Sequence, residues 1–319
     1  MALSIEPYSG DKPNKTQPAM RPWPSLADRA FCLRNTSRRG ESIFFYDCLP
    51  PAGGVSVPLM LLIHGLGDEA DSWRHLIPLL GQSCRVLALD LPGFGRSQAR
   101  GKVSLKRHAA AVLSLLEKLA PAGPVYLAGN SMGAIVAEAA ALRKPDLVRG
   151  LVLIGGSIPG GPPNPGLLPL VKMLFSRKWY RAYRNAPEDA WASLHPYYAD
   201  LDSMPAEDRE FLKERVMARV HSPAQEKAFF ASQRDIVRAY IFDALYFARK
   251  IRHYPGKILM IWGENDRIIP LSSANTFKAL RSDIEIKVIP GAGHLPQQEK
   301  PEECARLMLE FASFKLSSS

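Results

Sequence analysis

Six short apolar runs, each stopped by glycine, proline or a polar turn, constrain this chain more than any other feature. They are residues 58–63, 85–89, 125–128, 151–154, 258–262 and 284–289. Runs of this kind predict strands buried on both faces, as a parallel sheet between helical layers requires. Each stops where a strand must: at His64-Gly65-Leu66-Gly67, at Asp90-Leu91-Pro92-Gly93, at Gly129, Gly155 and Gly263, and at Pro290-Gly291. Helical patterns lie between them. Residues 104–119 place Leu105, Ala109, Val112, Leu113, Leu116 and Leu119 on one stripe, and 132–143 and 301–314 behave alike. The repeated strand–helix–strand pattern predicts a doubly wound, mostly parallel α/β sheet with its ligand site at the strands' carboxyl ends.

One stretch breaks the rhythm. Residues 155–166 are too rich in glycine and proline for either element, and no further strand run starts before about Lys257. The intervening segment is helical in pattern, at 206–220 and 235–250, and holds much of the aromatic content, Trp179, Tyr180, Tyr197, Phe229 and Phe230 among it. It predicts a helical cap between two late strands, entered through the glycine- and proline-rich stretch as a hinge. The expected organisation is a flexible N-terminal tail (1–24), the first part of the core (25–156), the cap (157–254) and the second part of the core (255–319). The apolar stretch 166–175 is expected to pack over the pocket mouth rather than rest on lipid, because a cap must bury an apolar face.

Composition removes several alternatives. With 46% apolar and 23% charged residues, the chain is that of a folded globular protein. No apolar run approaches the roughly 20 residues of a bilayer span. Residues 1–24 are polar, with Pro7, Pro13, Pro18, Pro22 and Pro24 and no apolar signal core, and the terminal Ser317-Ser318-Ser319 is no organelle address. A cytoplasmic location is the expectation. Cys32, Cys48, Cys84 and Cys304 lack metal-ligand or redox spacing and are expected to be reduced core thiols. The net charge of +10 comes from Lys and Arg spread along the chain, without a nucleic-acid module. No nucleic-acid partner is expected, and the chain is expected to act as a monomer or homodimer.

The chemistry centres on Gly129-Asn130-Ser131-Met132-Gly133, which follows a strand and opens a helix. In this context G-x-S-x-G forms a turn too tight for side chains beside the nucleophile, and it lifts the Ser131 hydroxyl to a helix N-terminus. Serine needs a base oriented by a third group. Gly291-Ala292-Gly293-His294 supplies a histidine after the last strand, and Gly263-Glu264-Asn265-Asp266 supplies carboxylates after the preceding one. The expected set is Ser131, Asp266 and His294, with Glu264 the rival acid. Asp266 is preferred because Arg267-Ile268-Ile269-Pro270 completes a familiar pattern around it. The backbone N–H groups of Met132 and Leu66 are expected to form the oxyanion hole. His64 is expected to brace its loop. His75, His108, His195, His221 and His253 show no partner pattern. No cofactor or metal is required.

These motifs resemble the α/β-hydrolase superfamily, in its capped branch of small esterases, lipases, haloperoxidase-like enzymes and C–C hydrolases. The resemblance covers about 43–314. It rests on His64 to Gly67, Asp90-Leu91-Pro92-Gly93-Phe94-Gly95-Arg96-Ser97, Gly129 to Gly133, 262–270, and Gly293-His294 followed by Pro296, Glu299 and Pro301. It implies a structural role for the Asp90 to Ser97 turn. A serine at the elbow argues against the dehalogenase and epoxide-hydrolase branches, which need aspartate there. The elbow is similar to that of meta-cleavage-product C–C hydrolases. Their oxyanion loop usually continues Gly-Pro-Gly, however, where Gly67 is here followed by Asp68-Glu69-Ala70-Asp71, and their Trp after the histidine is replaced by Leu295. The expectation is therefore hydrolysis of small-molecule carboxylic esters with an apolar acyl or alcohol group. C–C or amide cleavage by the same residues is the alternative, and a ligand-binding sensor a third reading.

Overall fold

The computed structural model describes residues 3–9, 20–35, 41–51, 57–119, 123–158 and 176–313. The expected stretches at 159–165 and 166–175 lie outside them. Nine strands form one sheet: β1 Leu3–Pro7, β2 Ala30–Asn35, β3 Ser42–Cys48, β4 Leu59–Ile63, β5 Arg85–Leu89, β6 Val125–Asn130, β7 Val148–Ile154, β8 Lys257–Gly263 and β9 Glu285–Ile289. Their spatial order is β1-β2-β3-β5-β4-β6-β7-β8-β9. Strands β4 to β9 run parallel, while β1, β2 and β3 add antiparallel pairs on one side. The chain starts the parallel part at β4, winds outward to β5, then returns to β6 on the other side of β4. That reversal opens a crevice at the carboxyl ends of β4 and β6.

Every residue of β4 and β6 is buried. Along β4, Leu59, Leu61 and Ile63 join one hydrophobic cluster and Met60 and Leu62 the other, the alternation a pleated strand imposes. Each such side chain removed from water stabilises the fold by about 1.5–3 kcal/mol. Helices α2 Leu105–Leu119 and α3 Met132–Ala141 cover the first face; α1 Leu76–Leu80 lies on the second, with the C-terminal helix Pro301–Ala312.

Two expectations need correction. Leu3–Pro7 is not tail but an edge strand paired with β2. The run ending at Ile289 is not buried on both faces: β9 is the opposite edge strand, so Glu285, Lys287 and Val288 meet solvent.

Between β7 and β8 the described residues carry α4 Arg177–Ala182, α5 Pro187–Ala192, α6 Ala206–His221, α7 Pro223–Arg238 and α8 Ala244–Arg252. Helix α7 starts at Ser222, whose side chain accepts from Gln225 N, with Pro223 in the first turn. The single helix expected over 235–250 is divided, since a π turn at Ala239–Asp243 separates α7 from α8. This insertion has a small core of its own, with Trp191, Tyr198, Leu201, Leu212 and Val216. After β8 come α9 Ser272–Lys278, α10 Pro296–Glu299 and α11 Pro301–Ala312. Among the described residues no helix is long and apolar enough to cross a membrane, and none of the four cysteines is in a disulfide, three of them being buried.

Candidate active site

The six parallel strands bring six loops to one sheet edge. Ser131 stands between β6 and α3 with φ +53° and ψ −116°, a conformation an ordinary residue adopts only when its surroundings impose it. The glycines around it are a steric necessity. A Cβ on Gly129 would lie 2.2 Å from Gly133 O, and one on Gly133 would lie 2.1 Å from Ile63 O. The turn is held by Ser131 N donating to Ile154 O at 2.8 Å and Ala134 N donating to Ser131 O at 3.0 Å.

His294 and Asp266 are paired, with Nδ1 2.8 Å from Asp266 Oδ2 and their side chains 2% and 1% exposed. Asp266 Oδ1 accepts the N–H groups of Ile268 (2.8 Å) and Ile269 (2.9 Å). The fully buried Trp262 donates its indole N–H to Ile269 O at 2.9 Å, which fixes the same turn. Both Asp266 oxygens are thus occupied, so the carboxylate is aimed before any substrate arrives. Glu264, the rival acid, is exposed and accepts from Gly291 N at 3.1 Å. It does not reach His294.

His294 Nε2 is buried without a hydrogen-bond partner among the described residues. Its loop is tied down in other ways. Asn130 Nδ2 donates to His294 O at 3.1 Å and to Ile154 O at 3.3 Å, joining the elbow to the histidine loop. His294 N donates to Tyr197 O in the insertion at 2.8 Å. Glu299 Oε2 accepts from Gly293 N at 2.6 Å and its Oε1 from Ala199 N at 2.7 Å. Burial raises the Glu299 pKa against the pull of these amides.

The loop carrying Leu66 lies beside the elbow: a Cβ on Gly65 would stand 3.5 Å from Ser131 Cβ. His64 is wholly buried. Its Nε2 accepts from Leu91 N at 2.9 Å, which leaves Nδ1–H to donate to Gly65 O at 2.8 Å. Burial holds its pKa below the ordinary value, and the neutral ring braces the loop, as expected. Over the loop sits Phe229, 3.2 Å from where a Cβ on Gly67 would be, in ring contact with Tyr180 and Phe230.

Asp68 to Asp71 meets helix α6. Arg219 Nη2 donates to Asp68 Oδ1 at 2.9 Å and to Glu69 Oε1 at 3.0 Å, and Arg215 lies 3.7 Å from both Glu69 and Asp71. Arg96 continues the buried network to Asp71 (2.9 Å) and Asp90 (2.8 Å) and lies 3.7 Å from the centre of the Phe44 ring. The Asp90 to Ser97 turn is therefore structural. His75 and His108, given no partner from sequence, bond Asp208 and Ser232.

Sequence reasoning assigned Gly155 and Gly156 to a hinge. They instead form the wall behind the site: a Cβ on Gly155, whose φ is +56°, would lie 3.1 Å from His294 Nδ1, and one on Gly156 would lie 2.9 Å from Ser131 O. Among the described residues no group of three His, Cys, Asp or Glu is placed to hold a metal ion.

Residues 60–307 match the sequence profile of the alpha/beta hydrolase family. The chain is 30% identical to a 2-hydroxymuconate semialdehyde hydrolase of a Pseudomonas species, over 81% of this chain and 87% of that one. It is 29% identical to the pimeloyl-[acyl-carrier protein] methyl ester esterase of Methylococcus capsulatus, over 80% and 94%. Among solved structures it is similar to a membrane phospholipase A, described as a bacterial virulence factor, with TM-score 0.72 and 25% identity over 89% of this chain and 85% of that one.

Proposed function

Because the chain belongs to the alpha/beta hydrolase family, we propose that it is a serine hydrolase of carboxylic esters with an apolar acyl or alcohol group. The observation that carries the reading is Ser131 in its forced conformation beside the His294–Asp266 pair. Ser131 Oγ attacks the ester carbonyl while His294 Nε2 takes its proton, and Asp266 holds the Nδ1–H tautomer and stabilises the imidazolium. The N–H groups of Leu66 and Met132 receive the oxyanion. Collapse expels the alkoxide, which takes the proton back from His294 and leaves an acyl-serine. Water, deprotonated by His294, then releases the acid and restores Ser131. His294 Nε2, buried and without a partner among the described residues, is the free acceptor that this role requires.

The helices between β7 and β8 act as the cap, and the Phe229 ring beside Gly67, in contact with the Tyr180 and Phe230 rings, favours an apolar group next to the reacting carbon. The esterase and phospholipase relatives support this choice. The 2-hydroxymuconate semialdehyde hydrolase favours a second reading, in which the same residues cleave a C–C bond.

Hydrolysis of p-nitrophenyl esters from acetyl to palmitoyl, wild type beside Ser131→Ala, tests the proposal. Turnover that peaks at one chain length and vanishes in the variant is expected. A folded wild-type protein inert on every ester yet active on a vinylogous diketone would replace it with the C–C reading.

A further inference from the structure

Helix α8 and the π turn before it are apolar on two sides. Ala239, Tyr240, Ala244, Phe247 and Ile251 face the core. On the outside Ile241 is 65% exposed, Phe242 73%, Leu245 86% and Tyr246 57%, and Val237 continues the patch one turn earlier. A helix apolar all round is normally buried, and a contiguous apolar patch on a folded protein marks a contact surface. Its surroundings are cationic. Arg234, Arg238, Arg249, Lys250 and Arg252 are exposed, whereas the two carboxylates of this stretch, Asp235 and Asp243, are half-buried, and Asp235 accepts from Leu105 N. Among the described residues of 234–253 no carboxylate is fully exposed. Lys250 Nζ lies 5.9 Å from the Tyr246 ring centre, so a cation and an amphipathic aromatic stand side by side.

We propose that this face docks the protein on an anionic phospholipid surface. Phe242, Leu245 and Ile241 enter the boundary between headgroups and acyl chains while Arg249, Lys250 and Arg252 meet the lipid phosphates. The charge decides for this partner over a second copy of the chain, since two such faces would bring their cations together. The docking element is also linked to the site, because Tyr240 OH donates to Ser157 O at 3.2 Å, just beyond the Gly155-Gly156 wall. The docking stands whatever bond the protein cleaves, and its test needs no turnover.

The test is co-sedimentation of the full chain with vesicles of phosphatidylcholine, alone or with a quarter phosphatidylglycerol. Binding is expected to the anionic vesicles and to weaken with added salt. Phe242→Ser with Leu245→Ser should abolish it, and Arg249→Glu with Lys250→Glu should weaken it at least on the order of tenfold, both with the thermal midpoint unchanged. No binding, or equal binding to both vesicle types that ignores the charge variant, overturns the proposal. So does a dimer on size exclusion that Phe242→Ser with Leu245→Ser dissociates. A fall in the midpoint on that substitution, without vesicle binding by the wild type, overturns it too, by showing that the chain's own residues cover the patch.

Discussion

Glu138 sits on α3 two turns beyond Ser131, wholly buried. Its Oε2 accepts from Ile158 N at 3.3 Å, and its Oε1 has no partner among the described residues. Burial raises its pKa to about 8, with the Ile158 N–H pulling the other way. The folded protein therefore keeps a proton that the unfolded chain loses near the ordinary glutamate value, about 4.3. In that window the native state binds more protons, so stability is full below the unfolded pKa and falls as pH rises toward 8. Each pH unit well inside the window is worth about 1.4 kcal/mol, and from pH 5 to pH 8 the loss reaches about 3.5 kcal/mol. Glu138→Gln keeps the shape of the neutral acid and cannot ionise. Urea unfolding of both proteins at unit steps from pH 5 to pH 8 should show the variant gaining on wild type by that amount. Against a total stability of about 5–15 kcal/mol, such a divergence is easily measured. Parallel stability curves across this range would refute the reasoning.

Asp266→Asn should lower kcat for ester hydrolysis on the order of ten thousandfold, by the loss of the ring tautomer, while Glu264→Gln stays near wild type; steady-state kinetics showing the reverse would move the acid to Glu264. Arg219→Met leaves Glu69 buried without its 3.0 Å donor and should cost about 3 kcal/mol. Adding Glu69→Gln should recover about 1–3 kcal/mol of that, and a double-mutant unfolding cycle in which the two changes simply add would show that the pair is not coupled.

What the sequence made legible is what local sterics dictate. The turn at Ser131 admits only glycine at 129 and 133, and Asp266 and His294 each follow a parallel strand by a few residues, so topology alone puts them at one edge. The antiparallel strands β1 to β3 escaped because they show no continuous apolar run: in Ser42–Cys48 buried and half-buried positions are mixed. The role of Gly155 and Gly156 was hidden because a glycine pair looks the same in a hinge as behind a packed histidine. The ion pairs joining Asp68 and Glu69 to Arg219 bridge 151 and 150 positions, and charged residues on a helix give no sign that a distant loop buries them.

The ties around His294 fix when, during synthesis, this protein becomes competent. Asn130 waits for a carbonyl 164 residues downstream, and Ala199 for a carboxylate 100 residues downstream, at Glu299. The sheet through β7 can form on the ribosome, but the histidine loop has no fixed place until Glu299 has left the exit tunnel. A nascent chain therefore carries its serine long before it carries a working base. Loss of the C-terminal stretch should yield a protein with the elbow formed and the base unset.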